Sequence, residues 1–161
     1  MIRQAGAADA GAIAAIWNPI IRDSTITFNP VEKTAPEVAA LIESRAAEGH
    51  PFLVIEEAGA ILGFASYFQF RGGAGYARSM EHSVMLVPAA QGRGLGRALM
   101  AALEAHAQAR GMHMLIGAIT AENEESLRFH RALGFSEVGR IPDAGWKFGR
   151  FHDLVLMQKR L

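Results

Sequence analysis

The chain contains no cysteine. That absence excludes a disulfide scaffold, a thiolate metal site and a cysteine nucleophile, and the last exclusion removes one whole route of covalent acyl transfer. There is no excess of either charge: sixteen Lys and Arg balance sixteen Asp and Glu, and neither sign gathers into a long block. No nucleic-acid partner and no membrane partner is therefore expected, while room for a local basic pocket remains. No apolar run approaches the roughly 18 residues needed to span a bilayer, and Asp9 interrupts the one candidate signal-peptide core, at Ala10–Trp17. A soluble, cytoplasmic protein is the expectation. Only 20% of residues are charged against 50% hydrophobic, which excludes disorder, and 161 residues make one domain, residues 1–161, with a single sizeable core.

Against these absences stands one rich stretch, Ser79–Arg97, reading SMEHSVMLVPAAQGRGLGR. Its first half, Met80 and His82–Val87, is full of β-formers, and Pro88 ends the strand because proline cannot donate to a ladder. A glycine-rich turn follows and opens a helix at about Gly94. Around this unit the patterning predicts strands at Ile2–Gln4, Phe52–Glu56, Ile61–Phe70, Met114–Thr120, Phe135–Arg140 and Phe151–Lys159. It predicts a first helix capped by Asp9 and closed by Pro19 and Arg22–Thr27, and a second opened by the capping box Thr34-Ala-Pro-Glu37 and ended by Gly49. Two more helices run over Gly94–Arg110 and Glu124–Leu133, the latter capped by Asn123. Pro142–Gly145 is expected as the turn joining the last two strands. The order β-α-α-β-β-β-α-β-α-β-β gives an α/β (α+β) domain with a mixed sheet and helices on both faces.

Gln91-Gly-Arg-Gly-Leu-Gly96 lacks the Lys-Ser/Thr ending of a P-loop, since Arg97-Ala98 follows. Its GxGxG spacing departs from the dinucleotide fingerprint, and it follows the fourth strand instead of the first. A nicotinamide-binding redox domain survives only through Glu122 at the end of the next strand. The glycines at 92, 94 and 96 clear side chains so that several amides converge on one diphosphate, with the helix dipole and the cations Arg93 and Arg97 adding favourable charge. A turn that merely lets the helix pack closely on the sheet is the other reading of the same glycines.

The spacing Q-x-x-G-x-G with Val84–Val87 before it and Asn123-x-x-Ser126 after the following strand resembles the GNAT superfamily of N-acetyltransferases. The resemblance implies a mostly antiparallel central sheet and acetyl-CoA as cosubstrate, its pyrophosphate held by the backbone of Gln91–Arg97 and its pantetheine arm by the preceding strand. Ile16-Trp-Asn-Pro19, Thr25-Ile-Thr-Phe28, Glu81-His-Ser-Val84 and Phe129-His-x-x-x-Gly-Phe135 look like the phosphinothricin and methionine sulfoximine N-acetyltransferase branch. That branch acetylates the α-amine of small amino acids and completes its pocket across a homodimer interface. Two departures touch the substrate side. Asn29 stands where relatives carry an acid, and Tyr76-Ala-Arg-Ser-Met-Glu81 displaces the arginine that usually approaches the strand.

Amide formation from a thioester needs an amine free of its proton, a polarised carbonyl and a proton for the leaving thiolate. The resemblance makes Glu81 the general base; a salt-bridged edge carboxylate is the alternative. A backbone N–H near Leu86 or Val87 is the expected oxyanion donor. His130 stands where much of the superfamily has a tyrosine facing the thiolate, and either donates a proton to coenzyme A sulfur or only packs on its helix. Asn123 caps its helix and, with Ser126, contacts the pantetheine. A substrate carboxylate needs a cation and the side chain an apolar wall; Arg71, Tyr76, Arg78 and Phe28 are the candidates, with surface solubility the alternative for each arginine. The histidines show no metal-ligand spacing, so no metal is expected. The rivals are transfer to another amine or a protein N-terminus, and an acyl-CoA sensor without catalysis.

Overall fold

The computed structural model describes residues 1–161, and a seven-stranded sheet runs through its middle in the order β1-β2-β3-β4-β5-β7-β6. The strands are β1 (Ile2–Gln4), β2 (Phe52–Glu57), β3 (Ala60–Gln69), β4 (Ser79–Leu86), β5 (Met114–Thr120), β6 (Ser136–Lys147) and β7 (Arg150–Arg160). Every neighbouring pair is antiparallel except β4 and β5. That one parallel pair is joined by a crossover helix, which is why the glycine turn must sit at the end of β4.

Four helices cover the sheet: α1 (Ala10–Asp23), α2 (Ala35–Ala47), α3 (Leu95–Ala109) and α4 (Glu124–Ala132). Alternation along the strands divides the core into two layers. Met80, Leu115, Val155 and Met157 point to α3 and α4, where Leu99, Met100, Leu103 and Leu127 complete one cluster. Phe52, Val54 and Phe64 point the other way, onto Ile13, Ile16, Val38 and Ile42 of α1 and α2. On α3, Leu99, Met100 and Leu103 are wholly buried, and at about 1.5–3 kcal/mol for each large side chain their burial fixes this helix, and with it the turn that opens it.

Local signals explain most boundaries. Thr34 accepts from the Glu37 amide at 3.3 Å while the Glu37 carboxylate accepts from the Thr34 amide at 2.7 Å, the expected capping box. Three expectations are corrected. Asp9 makes no cap bond to α1; its carboxylate accepts from the Gly6 amide and from Arg3. Pro19 does not close the first helix, which continues to Asp23, because burial of Ile13, Ile16 and Ile21 on one face outweighs the one backbone bond that proline removes. Pro142–Gly145 is not the last turn. The strands run on to Phe148-Gly149, whose φ values of 55° and 74° suit a two-residue hairpin turn. Pro142–Gly145 is instead a bulge within β6, where the pairing register shifts between Ile141 and Gly145.

Candidate active site

The site is a gap in the sheet. Strands β4 and β5 pair from Ser79–Met114 only as far as His82–Gly117, although both strands continue. On its other edge β4 stays bonded to β3 throughout, and Val87 N donates to Leu62 O at 2.9 Å. Every second residue of an antiparallel strand bonds the same neighbour. Ser79, Glu81, Ser83, Met85 and Val87 thus serve β3, while the backbone groups of Val84 and Leu86 turn toward the missing β5 partner. Leu86 therefore turns its backbone groups toward the slot. Val87 is corrected: its amide is already spent on β3, and its side chain lies in a different groove from the one lined by Leu86. The free amide of Val84, two residues earlier, is the donor the sequence did not single out.

A cleft of about 350 Å³ continues from the slot past the glycine turn, lined by Leu86, Gln91, Gly92, Gly94, Gly96 and Arg97 on one wall. Asn123, Ser126 and Phe129 of the α4 end form the other wall, and Ile26 closes it from above. Gly94 is the residue before α3 and sits at φ 78°, a conformation that costs a side-chain-bearing residue more than glycine. The first bond of the helix runs from Ala98 N to Gly94 O, leaving the amides of Leu95, Gly96 and Arg97 without helical partners at the positive end of the dipole. A Cβ on Gly96 would sit 3.3 Å from the Phe129 ring and 3.4 Å from Leu86, so this turn packs close against both walls. Arg93 is different: its guanidinium pairs with Glu57 at 2.6 Å, and it lines no part of the cleft. The free amides, the glycine turn and Arg97 fit a diphosphate.

The slot itself holds about 80 Å³ between His82, Ser83, Gly117, Ser126 and His130. His130 lines the slot, whereas Glu81 lines neither the slot nor the cleft: it alternates with the buried Met80 and His82, so its side chain lies on the opposite face of the sheet from theirs. The Glu81 carboxylate has no ion-pair or hydrogen-bond partner, and burial alone raises its pKa above the usual glutamate value. His130 is only 3% exposed. Its Nδ1 lies 2.8 Å from the Ser126 carbonyl, which only accepts, so Nδ1 carries the proton. Its Nε2 then accepts from His82 Nε2 at 2.9 Å. Burial pulls both imidazoles toward the neutral form, His82 to about 3. With both ring nitrogens engaged, His130 does not turn a free proton toward the slot. Asn123 caps α4 by accepting from the Ser126 amide at 3.1 Å, and also lines the cleft.

Of the substrate candidates, Phe28 packs in an inner cluster against His152, with ring centroids 5.6 Å apart. Arg71, Tyr76 and Arg78 are exposed on the loop before β4, with Arg71 over the Tyr76 ring at 5.7 Å, and none lines the cleft. A groove of about 550 Å³ lies elsewhere, between α1 and the β2–β3 turn. Its one cation, Arg3, is already paired with Asp9 and Glu56 at 2.8 Å each, so it offers a ligand no free charge. No three His, Asp or Glu side chains are grouped to hold a metal ion.

The model of the acetyltransferase (GNAT) family matches residues 17–135, from α1 to the end of the α4 region. The chain belongs to that family. Among its relatives is the L-methionine sulfoximine/L-methionine sulfone acetyltransferase of Pseudomonas aeruginosa, 40% identical over 161 residues that cover 99% of this chain and 94% of the relative. A GNAT-superfamily phosphinothricin acetyltransferase from Sinorhizobium meliloti, solved in complex with acetyl-CoA, is 32% identical with a TM-score of 0.94, covering 100% of this chain and 88% of that one. A solved structure named ribosomal-protein-alanine N-acetyltransferase, from Brucella melitensis, is 39% identical, with a TM-score of 0.97 and coverage of 100% of this chain and 99% of that one.

Proposed function

We propose that this GNAT enzyme transfers acetyl from acetyl-CoA to the α-amine of a small amino acid or analogue of the methionine sulfoximine, methionine sulfone or phosphinothricin type. One observation carries the reading: β4 and β5 part after His82–Gly117, leaving unbonded amides on a cleft that runs to a glycine turn at a helix N-terminus, and the partner-free, half-buried Glu81 stands on β4 one residue before that parting. The α-amine of an amino acid arrives as an ammonium. Glu81, with its raised proton affinity, takes that proton directly or through water, and the nitrogen then attacks the thioester carbonyl. The C–N bond forms, the C–S bond breaks, and the second proton that leaves nitrogen passes through water to the coenzyme A thiolate, which leaves as the thiol. One of the two free amides, Val84 or Leu86, stabilises the charge that develops on the carbonyl oxygen; about 6.7 Å apart along the strand, they do not both reach it. With no cysteine in the chain, attack is direct within a ternary complex. His130, with its neighbour His82, shapes the floor as a neutral pair.

Arg71 and Arg78 line neither the slot nor the cleft, and only their freedom from any ion pair supports either as the cation for the substrate carboxylate, reached from the loop before β4. Trp146, Phe148 and Phe151 are each 57–58% exposed on the β6–β7 hairpin, an apolar face that suits a second copy in a homodimer. A cytoplasmic site of action belongs to the same reading, because acetyl-CoA is available there.

The structure named for ribosomal-protein alanine supports a second reading, transfer to a protein N-terminus. A thiol-release assay over methionine sulfone, methionine sulfoximine, phosphinothricin, plain amino acids and an alanine-terminated peptide separates them. Turnover on the amino acids is expected; turnover on the peptide alone favours the second reading. Binding of acetyl-CoA without thiol release from any amine overturns both and leaves a sensor.

A further inference from the structure

Lys147 is 3% exposed and has no carboxylate beside it. Its ammonium donates to three backbone carbonyls: Ile21 at 2.5 Å, Ser24 at 2.6 Å and Thr27 at 2.8 Å. Ile21 O is among the last four carbonyls of α1, which have no helical partner and lie at the negative end of the dipole. The other two belong to the loop that leaves the helix. One side chain thus uses all three of its protons to fix a helix end and both ends of the segment Ser24–Thr27.

The same hairpin grips the segment again. His152, buried beside Lys147, lies with Nε2 2.8 Å from the Lys147 carbonyl and Nδ1 2.6 Å from Glu122. Glu122 also receives Arg150 at 2.9 Å and the Thr25 hydroxyl at 3.2 Å. Phe28 stacks on His152 and covers Gly145, where a Cβ would overlap the Phe28 ring. Ile26 is the member of this segment that turns outward, 46% exposed, and it lines both the slot and the cleft.

We infer that Lys147 is a positioning residue for the acceptor: through Ser24, Thr27 and Phe28 it sets where Ile26 stands over the slot, and so which amino-acid side chain the site admits. A buried ammonium is a costly way to gain stability alone, since an apolar residue of similar size serves that end as well or better. A fixed wall is what discrimination between similar amines needs. The inference rests on the N-acetyltransferase reading.

The test measures kcat/KM on methionine sulfone, phosphinothricin and plain methionine, together with acetyl-CoA affinity by calorimetry, for the wild type, Lys147→Met and Gly145→Ala. Lys147→Met is expected to raise the amine KM about tenfold and to change the ratio of kcat/KM between two amines about fivefold or more, with acetyl-CoA affinity within about twofold. Gly145→Ala keeps the ammonium contacts and displaces Phe28, so it should move the same ratio, and it decides the matter alone if Lys147→Met does not fold. A wild type that acetylates, with variants of lower melting temperature but unchanged ratios, overturns the inference and leaves the reading intact. A wild type that acetylates no amine overturns both.

Discussion

On the glycine side of the slot the groups offered to a ligand are backbone groups: the amides of Val84 and Leu86, and those of Leu95, Gly96 and Arg97 at the start of α3. On the acceptor side they are side chains, Glu81 and Ile26, and the second is held by a lysine more than 120 positions away. A backbone-built half tolerates changes in side chains but not in backbone conformation. A half built from side chains is retuned by single substitutions without touching the fold.

If the halves are separable, substitutions should split binding from chemistry. The largest effect is expected at Glu81. Glu81→Gln should lower kcat/KM by on the order of 10²–10⁴ with acetyl-CoA affinity nearly intact, measured by steady-state kinetics beside calorimetry. On the other side, Gly94→Ala forces a Cβ into φ 78° and disturbs the turn that aims the amides. Titration of acetyl-CoA should show about tenfold weaker binding. Once turnover is measured at saturating acetyl-CoA, the preference among amines should be unchanged.

The two arginines of the turn sharpen the contrast further. Arg97 lines the cleft, whereas Arg93 is tied to Glu57. Arg97→Ala is expected to weaken acetyl-CoA several-fold, more so at low salt, and Arg93→Ala by less than about twofold. Equal losses would mean that Arg93 leaves Glu57 for the ligand.

The smallest effect at neutral pH lies in the His82–His130 floor. His82 has its pKa pulled from 6.5 to about 3 by burial, so below about pH 6.5 the unfolded chain binds a proton that the folded chain refuses. Stability is therefore lost as pH falls through that window. Asp9, Glu37 and Glu122, whose hydrogen bonds and ion pairs lower their pKa values, add their losses only below about 4.5. Between pH 6.5 and 4.5 the melting temperature should drop by on the order of 5 °C, and His82→Gln, which keeps a donor for His130, should flatten part of that drop.

The same division decides what could be read before the structure. Glycine spacing, Pro88 and the Asn123 cap are local signals, and the strand, the turn and the helices they bound were legible because these groups are neighbours in sequence; that the turn holds a cofactor is what the family likeness implies. The element order and the mixed sheet followed from periodicity. The acceptor wall was not legible, because Lys147 meets Ile21 across 126 positions and nothing near either residue announces the pairing. Local punctuation also misled. Pro19 and Pro142-Asp-Ala-Gly145 read as ends of elements, yet tertiary packing carries α1 and β6 through them. The base role of Glu81 is what family likeness implies; its lack of any partner is a property that only the packed structure displays.

The pH dependence of kcat/KM for the wild type and for Glu81→Gln, each with a small amino-acid acceptor, tests the central claim most directly. Because burial raises the Glu81 pKa, the wild type should lose activity with falling pH through a limb set above the ordinary glutamate range, and that limb should be absent from the variant's residual activity. The same limb in both proteins, or wild-type turnover in the variant, would take the base away from Glu81 and contradict the account.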